Sequence, residues 1–226
     1  MDPLTLLLLT FWYILPAYTA NGLAVIFGRG NRFNVPLDLG RNFIDGRRIF
    51  GDGKTLRGFI GGVAAGTMVG AAQAVAGGII GAPLLLFSSR SLSLTLTATA
   101  LGFYHATYLI IINAILLTPI YFALLGYPPT VKEAVLPSII KGFLLPLGAL
   151  TGDLVGSFIK RRLNISRGHL APGLDQLDFV AGAILLSSVV YIPPPELLIT
   201  AIIVTPAIHL LANAAGYALH LKNEPW

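Results

Sequence analysis

Residues 3–28 read PLTLLLLTFWYILPAYTANGLAVIFG, from Pro3 to Gly28 without one charged side chain. About 20 apolar residues in a helix cross the hydrocarbon core of a bilayer, where a chain segment must satisfy its own backbone polar groups. The run is too long for a cleavable signal peptide and lacks its basic start, so a permanent membrane helix is expected near 4–27. Working outward, further charge-free stretches cover 58–89, 91–131, 179–195 and 197–221, and 134–152 is interrupted only by Lys141. The last two uncharged runs read as helices separated by a turn at Pro193-Pro194-Pro195.

Composition agrees with an integral membrane protein. Of 226 residues, 55% are hydrophobic and 11% charged, and the mean hydropathy is +0.77; soluble domains are roughly 25% charged. Such a chain cannot cover its own surface with polar groups in water. With no cysteine there is no disulfide framework, no thiolate zinc site and no thiol nucleophile. A net charge of +5 would suit a nucleic-acid binder, but the basic residues lie in short loops between apolar runs. That distribution favours phosphate or lipid head groups, and no nucleic acid is expected as a partner.

Seven of the fifteen Lys and Arg residues fall in 28–57 (Arg29, Arg32, Arg41, Arg47, Arg48, Lys54, Arg57), and four in 159–178 (Lys160, Arg161, Arg162, Arg167). The positive-inside rule puts both loops in the cytoplasm, with the N-terminus outside and the C-terminus inside. An even number of crossings must then separate the two loops. Helices near 58–82 and 135–157 satisfy this alone, which makes residues 84–131 either a spanning hairpin or a non-spanning outer segment. The expected fold is an all-α polytopic bundle of five transmembrane helices, or seven if 84–131 span. Residues 1–226 form a single transmembrane catalytic domain in this reading, a multi-pass protein of the cell membrane.

Gly58, Gly62, Gly66 and Gly70 recur every four residues and share one helix face, the pattern of close small-xxx-small packing. His209, Asn213 and His220 stand out on an otherwise apolar closing helix, where Asn213 is expected to make an interhelical hydrogen bond. Tyr104 and His105, in the middle of the chain, read as packing or interface residues.

The chemistry is therefore expected in the loops 28–57 and 159–178. The first contains Asp45-Gly46-Arg47-Arg48 and Gly51-Asp52-Gly53-Lys54-Thr55. Glycines permit tight turns that bring backbone N–H groups, together with Arg and Lys, up to an anion. Gly-Lys-Thr is not a P-loop, because the glycine required five residues before Gly53 is Arg48 and no parallel sheet is available. A plain solvated basic loop is the alternative, but it would not need this density of Gly, Asp and Arg together.

The second constellation is Thr151-Gly-Asp153-Leu-Val-Gly-Ser157-Phe-Ile-Lys160-Arg161-Arg162, in which helical periodicity sets Asp153, Ser157 and Lys160 on one face. A carboxylate at the end of a membrane helix is costly and marks a functional site. Asp175 and Asp178, three apart, can face one point at a helix start. Three carboxylates beside Lys160, Arg161 and Arg167 describe a hard-cation site with phosphate clamps, because Mg²⁺ takes oxygen ligands and shares them with substrate phosphates. The competing explanation is a set of interfacial salt bridges and helix caps.

Ser157-x-x-Lys160-Arg161 followed by Asp175-Gln-x-Asp178 resembles the signature of the CDP-diacylglycerol synthase (phosphatidate cytidylyltransferase) superfamily. Ala20-Asn21, Asp45-Gly-Arg-Arg48, Gly51-Asp-Gly-Lys-Thr55, Gly152-Asp153, Ser157-Phe-Ile-Lys-Arg-Arg162, Leu174-Asp-Gln-Leu-Asp-Phe179 and the closing His209-Leu-Leu-Ala-Asn213 look more closely like its archaeal branch, the CDP-archaeol synthases. Residues 84–131 lie outside the resemblance and look like an insertion. Where the bacterial pattern has a Lys-Asp pair, this chain has Ser166-Arg167, and its Asp-Arg-x-Asp is here Asp175-Gln176-Leu177-Asp178. These departures argue against acyl-phosphatidate specificity.

The resemblance implies transfer of CMP from CTP to 2,3-di-O-geranylgeranylglyceryl phosphate, an isoprenoid ether lipid phosphate, with release of pyrophosphate. It implies a Mg²⁺ cofactor held by Asp175, Asp178 and Asp153, and phosphate contacts from Lys160 and Arg161, these five being the catalytic set. Arg47, Arg48, Lys54 and Thr55 would hold the triphosphate, and Asp45 or Asp52 would close the site, which faces the cytoplasm. A transporter or channel for an anionic solute is the rival, since buried Asp and Lys also mark ion pathways. Against it, the chain has no evident inverted repeat, and its charges cluster at one interface instead of the midplane.

Overall fold

The computed structural model describes residues 3–29, 34–87, 130–166, 169 and 171–221 of the 226. Five helices occur among them: α1 (Pro3–Phe27), α2 (Leu56–Phe87), α3 (Thr130–Arg162), α4 (Leu174–Ser187) and α5 (Pro195–Ala218). No strand forms among the described residues beyond two isolated bridges in the first loop, Pro36 with Thr55 and Asn42 with Arg48. Two compact units result. One combines Met1–Ala71 with Ile140–Trp226; the other, Ala72–Ile139, carries the end of α2 and the start of α3. Residues 88–129, with Tyr104 and His105, and also Arg32 and Arg167, lie outside the described residues.

Helices α1, α3 and α5 each contain a segment long and apolar enough to cross a membrane: Leu6–Phe27, Ile139–Arg162 and Pro195–Ala218. Large apolar side chains point away from the protein on several helices, among them Met68, Leu185 and Ile203, at 73%, 77% and 69% exposure. An aqueous surface would penalise that distribution, whereas lipid does not. The helix expected over 179–195 differs. It starts earlier, at Leu174, and stops at Ser187, so its 14 residues rise only about 21 Å. A turn over residues 188–190 follows, and Pro193 and Pro194 keep the helix from resuming there, because proline lacks the N–H donor and disfavours helical geometry in the residue before it.

The buried core joins Tyr13, Ile14 and Ala17 of α1, Leu145 and Ala149 of α3, Phe179, Val180 and Ala183 of α4, and Leu197 and Ala201 of α5. Two hydroxyl pairs tie these helices: Tyr13 with Ser187 at 2.7 Å and Tyr18 with Thr205 at 2.8 Å. In a membrane, where burial of apolar surface does not favour one helix contact over lipid, close packing and such hydrogen bonds must hold helices together.

The glycine stripe of α2 does what its spacing predicts. A Cβ on Gly62 would come within 2.7 Å of the Ala20 carbonyl oxygen and 2.8 Å of a Leu150 methyl carbon, and Gly66 and Gly70 abut Pro16, Pro146 and Gly142 in the same way. A second stripe on α3, Gly148, Gly152 and Gly156, receives Gly182 and Asp178 of α4. Sequence reading singled out only the first stripe, because α3 interleaves its glycines with the charged motif. Gly22, by contrast, has open space where a Cβ would stand, so Gly22→Ala is expected to leave the melting temperature in detergent unchanged or slightly raised.

Candidate active site

The first loop folds back on itself before reaching the cavity. The N–H of Leu37 donates to the Lys54 carbonyl at 2.8 Å, that of Leu56 to Val35 at 2.9 Å, and that of Phe43 to Arg47 at 2.7 Å. The turns at Gly46 and Gly51 need φ of 76° and 95°, a region that glycine enters without steric cost. Asp38, which no motif singles out, organises the loop. Its carboxylate accepts N–H groups of Gly40 (3.0 Å), Phe50 (3.0 Å) and Gly51 (2.8 Å) and pairs with Arg48 at 2.7 Å.

Burial by itself would push the Asp38 carboxyl up, but the Arg48 guanidinium and the N–H groups of Gly51, Phe50 and Gly40 outweigh it and hold it well below the usual carboxylate range. A depressed folded-state value means that the stabilisation is fully present above the unfolded carboxyl's pKa and is lost as pH falls through and below it. Asp38→Asn is therefore expected to cost about 3 kcal/mol at pH 7. Melting curves in detergent between pH 7 and 3 should show a smaller acid-induced loss for the variant than for the wild-type protein; parallel curves would remove Asp38 from this role.

The folded loop is clamped to the end of α3 by Arg162. Its guanidinium lies 4.0 Å from the Phe158 ring centre and 4.8 Å from that of Phe43, donates to the Arg48 carbonyl at 3.0 Å, and meets Asp45 at 3.1 Å. Arg47 in turn donates to the Arg162 carbonyl, and Arg48 also pairs with Asp52 at 2.7 Å. Arg47, Arg48, Asp45 and Asp52 thus make contacts within the loop and to α3, whereas Lys54 stands at the main cavity and, with Thr55 and Asp153, lines a smaller pocket of about 70 Å³. Thr55 is buried and caps α2, its hydroxyl accepting the Gly58 N–H at 3.2 Å.

A cavity of about 440 Å³ opens beside this clamp. Lys54, Asp153, Lys160, Asp175 and His169 line it, with Asn21 of α1 alongside. Two ion pairs hold the cationic side chains: Lys54 with Asp153 at 2.6 Å and Lys160 with Asp175 at 2.5 Å. Asp175 also accepts the Ala171 N–H at 2.8 Å. Further walls come from Val25 and Ile26 of α1, from Ile208, Ala212, Ala215 and Gly216 of α5, and from Leu219 just past its end. Tyr18, Phe179, His209 and Asn213 line it too.

Asp178 sits at the crossing of α3 and α4. Its carboxylate occupies the space over Gly156, accepts the Phe179 N–H at 2.6 Å, and lies within electrostatic range of Asp153, Lys54 and Lys160. Arg161 turns toward the first loop, with one guanidinium nitrogen 3.9 Å from the place of a Cβ on Gly51. It makes no ion pair among the described residues, and its Nε is buried without a hydrogen-bond partner. The fold thus assembles Lys54, Asp153, Lys160, Asp175 and Asp178 from one loop and two helices. It adds Tyr18, Phe179 and His209, for which the sequence carries at most the signal of a polar residue on an apolar helix. Among the described residues, no three carboxylates or histidines converge as a ready-made metal cage.

Charged side chains at one end and hydrocarbon at the other suit an amphiphilic ligand carrying phosphate. The family model CarS-like, CDP-archaeol synthase, matches residues 3–118 and 95–226. The CDP-archaeol synthase of Methanocaldococcus jannaschii is 42% identical over 221 residues, covering 98% of each chain. That of Pyrococcus abyssi is 40% identical and covers 96% of each. A solved structure, described as an intramembrane enzyme for archaeal membrane lipids biosynthesis, is 32% identical with a TM-score of 0.57, covering 90% of this chain and 91% of that one. On sequence over its whole length, on fold and on the composition of its cavity, this membrane protein belongs to the CDP-archaeol synthase family.

Proposed function

We propose that the chain transfers CMP from CTP to 2,3-di-O-geranylgeranylglyceryl phosphate, releasing pyrophosphate. The observation that carries this reading is the pair of Lys–Asp ion pairs, Lys54–Asp153 and Lys160–Asp175, facing an apolar α1–α5 wall across one cavity. A phosphate monoester is already nucleophilic near neutral pH, so its oxygen attacks the α-phosphorus of CTP in line without a general base. Catalysis then consists of positioning and charge neutralisation.

Without substrates, Lys54, Lys160 and Arg161 balance Asp153, Asp175 and Asp178 in formal charge. Two substrates bring on the order of five negative charges into this site, so Lys54 and Lys160 must exchange carboxylate for phosphate oxygens, and the released carboxylates need a cation. One or two carboxylates completed by substrate phosphates is the usual Mg²⁺ arrangement, and Asp153, Asp178 and Asp175 supply hard oxygen donors that fit it. Mg²⁺ held there would supply charge neutralisation on the phosphates. Arg161, free of carboxylate partners, is assigned to phosphate. The Arg47, Arg48, Asp45 and Asp52 set is assigned to holding the loop, and Lys54 and Thr55 to the triphosphate end.

The common end of α1, α3 and α5 supports a five-helix bundle with the N-terminus outside and the C-terminus in the cytoplasm, in which α4 by itself is shorter than the hydrocarbon core. Arg29 after α1 donates to the His220 carbonyl after α5 at 2.6 Å, and α3 ends at the same site in Arg162. All three ends then face the cytoplasm with loops 28–57 and 159–178. Transport of an anion does not fit a family of synthases.

Pyrophosphate release by the detergent-purified protein with CTP, Mg²⁺ and the lipid phosphate tests the proposal. Release should require the lipid, should stop on chelation of the metal, and should fall at least 100-fold in Asp178→Ala. Lipid-independent release, or none from folded protein, would overturn it.

A further inference from the structure

The first loop turns an apolar tip away from the cavity. Asn42 and Arg48 form an antiparallel bridge, so residues 43–47 make a tight turn that begins with Phe43-Ile44. The Phe43 ring meets the Phe158 ring of α3 edge-on at 5.2 Å between centres, and the Arg162 guanidinium lies against both rings. Phe158 and Arg162 belong to the segment of α3 that is long and apolar enough to cross a membrane. The tip is therefore held at the level of the last turns of a membrane helix.

Ile44 is 94% exposed, and Phe43 is exposed beside it. Next to the Phe158 and Arg162 row of α3 runs a second i, i+4 row, Val155, Ile159 and Leu163, and all three of its side chains are exposed. This row starts inside the spanning segment and ends one residue past it. The tip and the row together make an apolar surface that continues from the lipid-facing side of α3 onto the loop. Single exposed apolar side chains need no explanation, but a contiguous set marks a contact with a partner or a membrane.

Charge at the border of this surface points to lipid. The three acids of loop 28–57 are matched, Asp38 and Asp52 by Arg48 and Asp45 by Arg162. Arg41, two residues before Phe43, is exposed and makes no ion pair or side-chain hydrogen bond among the described residues. An apolar side chain below the head groups with a cation beside it at phosphate level is how interfacial segments bind anionic membranes.

We propose that Phe43 and Ile44 insert into the bilayer interface beside Val155, Ile159 and Leu163, with Arg41 on the phosphates of anionic lipids. The loop that carries Lys54 is then fixed to the membrane surface as well as to α3. The contact is independent of the reaction assigned to the cavity.

The chain has no cysteine, so Ile44→Cys in the full-length protein takes a single nitroxide label. In nanodiscs of phosphatidylcholine and phosphatidylglycerol, relaxation of the label by oxygen, which concentrates in lipid, is compared with relaxation by a water-soluble nickel chelate. Val155→Cys is the lipid reference, and Asp52→Cys, at a side chain 64% exposed, is the water reference. The oxygen-to-nickel ratio at position 44 should exceed that at 52 by about threefold or more, as for a side chain roughly 5–10 Å into the head-group region. Leu163→Cys should behave alike, and neither exposed position disturbs the core. Omitting phosphatidylglycerol should lower the ratio at 44, and Arg41→Gln should abolish that difference.

A ratio at 44 equal to that at 52 would put the tip in water and overturn the proposal. Protection from both reagents would mean that protein covers it, a second copy or a partner, and would overturn it too. A ratio indifferent to lipid charge would refute the phosphate contact of Arg41.

Discussion

Lys160→Ala is expected to lower kcat/KM by two to three orders of magnitude, about 3–4 kcal/mol of transition-state stabilisation. Lys160 pairs with Asp175 at 2.5 Å, and the two side chains retain only 17% and 15% exposure. Exchange of that carboxylate for a phosphate oxygen is the step at which the ammonium acts. Its removal also takes from Asp175 the countercharge it has among the described residues, leaving the Ala171 N–H bonded to it there, so stability should fall as well. The two effects separate in the double variant. Lys160→Ala with Asp175→Ala should regain much of the melting temperature and none of the activity. Activity of either variant within threefold of wild type would remove Lys160 from the reaction.

Gly156→Ala should be nearly as damaging for an entirely different reason. A methyl group there would overlap the Asp178 carboxylate, and its neighbour Gly152 lies just as tightly under the Asp178 backbone. At Gly156 the overlap extends to the Asp178 Cβ, which no rotation of that side chain can move aside, so α4 would have to shift off α3. Overpacking of this kind costs typically about 1–3 kcal/mol. It would displace Asp178 from the neighbourhood of Asp153, and a misplacement of about 1 Å can cost two orders of magnitude in rate. We expect a lowered melting temperature in detergent together with at least 100-fold lower activity. Gly22→Ala is the matched control, since space is open at that Cβ position. Equal melting temperatures for Gly156→Ala and Gly22→Ala would refute the packing argument.

The two stripes also show where sequence reading succeeds and where it stops. Uncharged runs of about 20 residues locate membrane helices because lipid punishes every unpaired polar group; α1, α3 and α5 fall where those runs predict. Four glycines at spacing four declare a contact face, and α2 uses it. Periodicity cannot name the partner, and so it did not reveal that the α3 glycines leave the room in which Asp178 sits.

The sequence by itself determined that this is a helical membrane protein whose chemistry belongs to its charged motifs, because charge and hydropathy act locally along a chain. Its motifs also carried the family resemblance. Only the tertiary structure decided which charges are neighbours. The resemblance makes Arg47, Arg48, Asp45 and Asp52 candidates for holding or closing on the triphosphate; in the fold they pair within the first loop and with Arg162, while Lys54 reaches 99 residues along the chain to Asp153. An ion pair depends on distance in space, and for residues so far apart in sequence that distance is set by how glycine-lined helices pack.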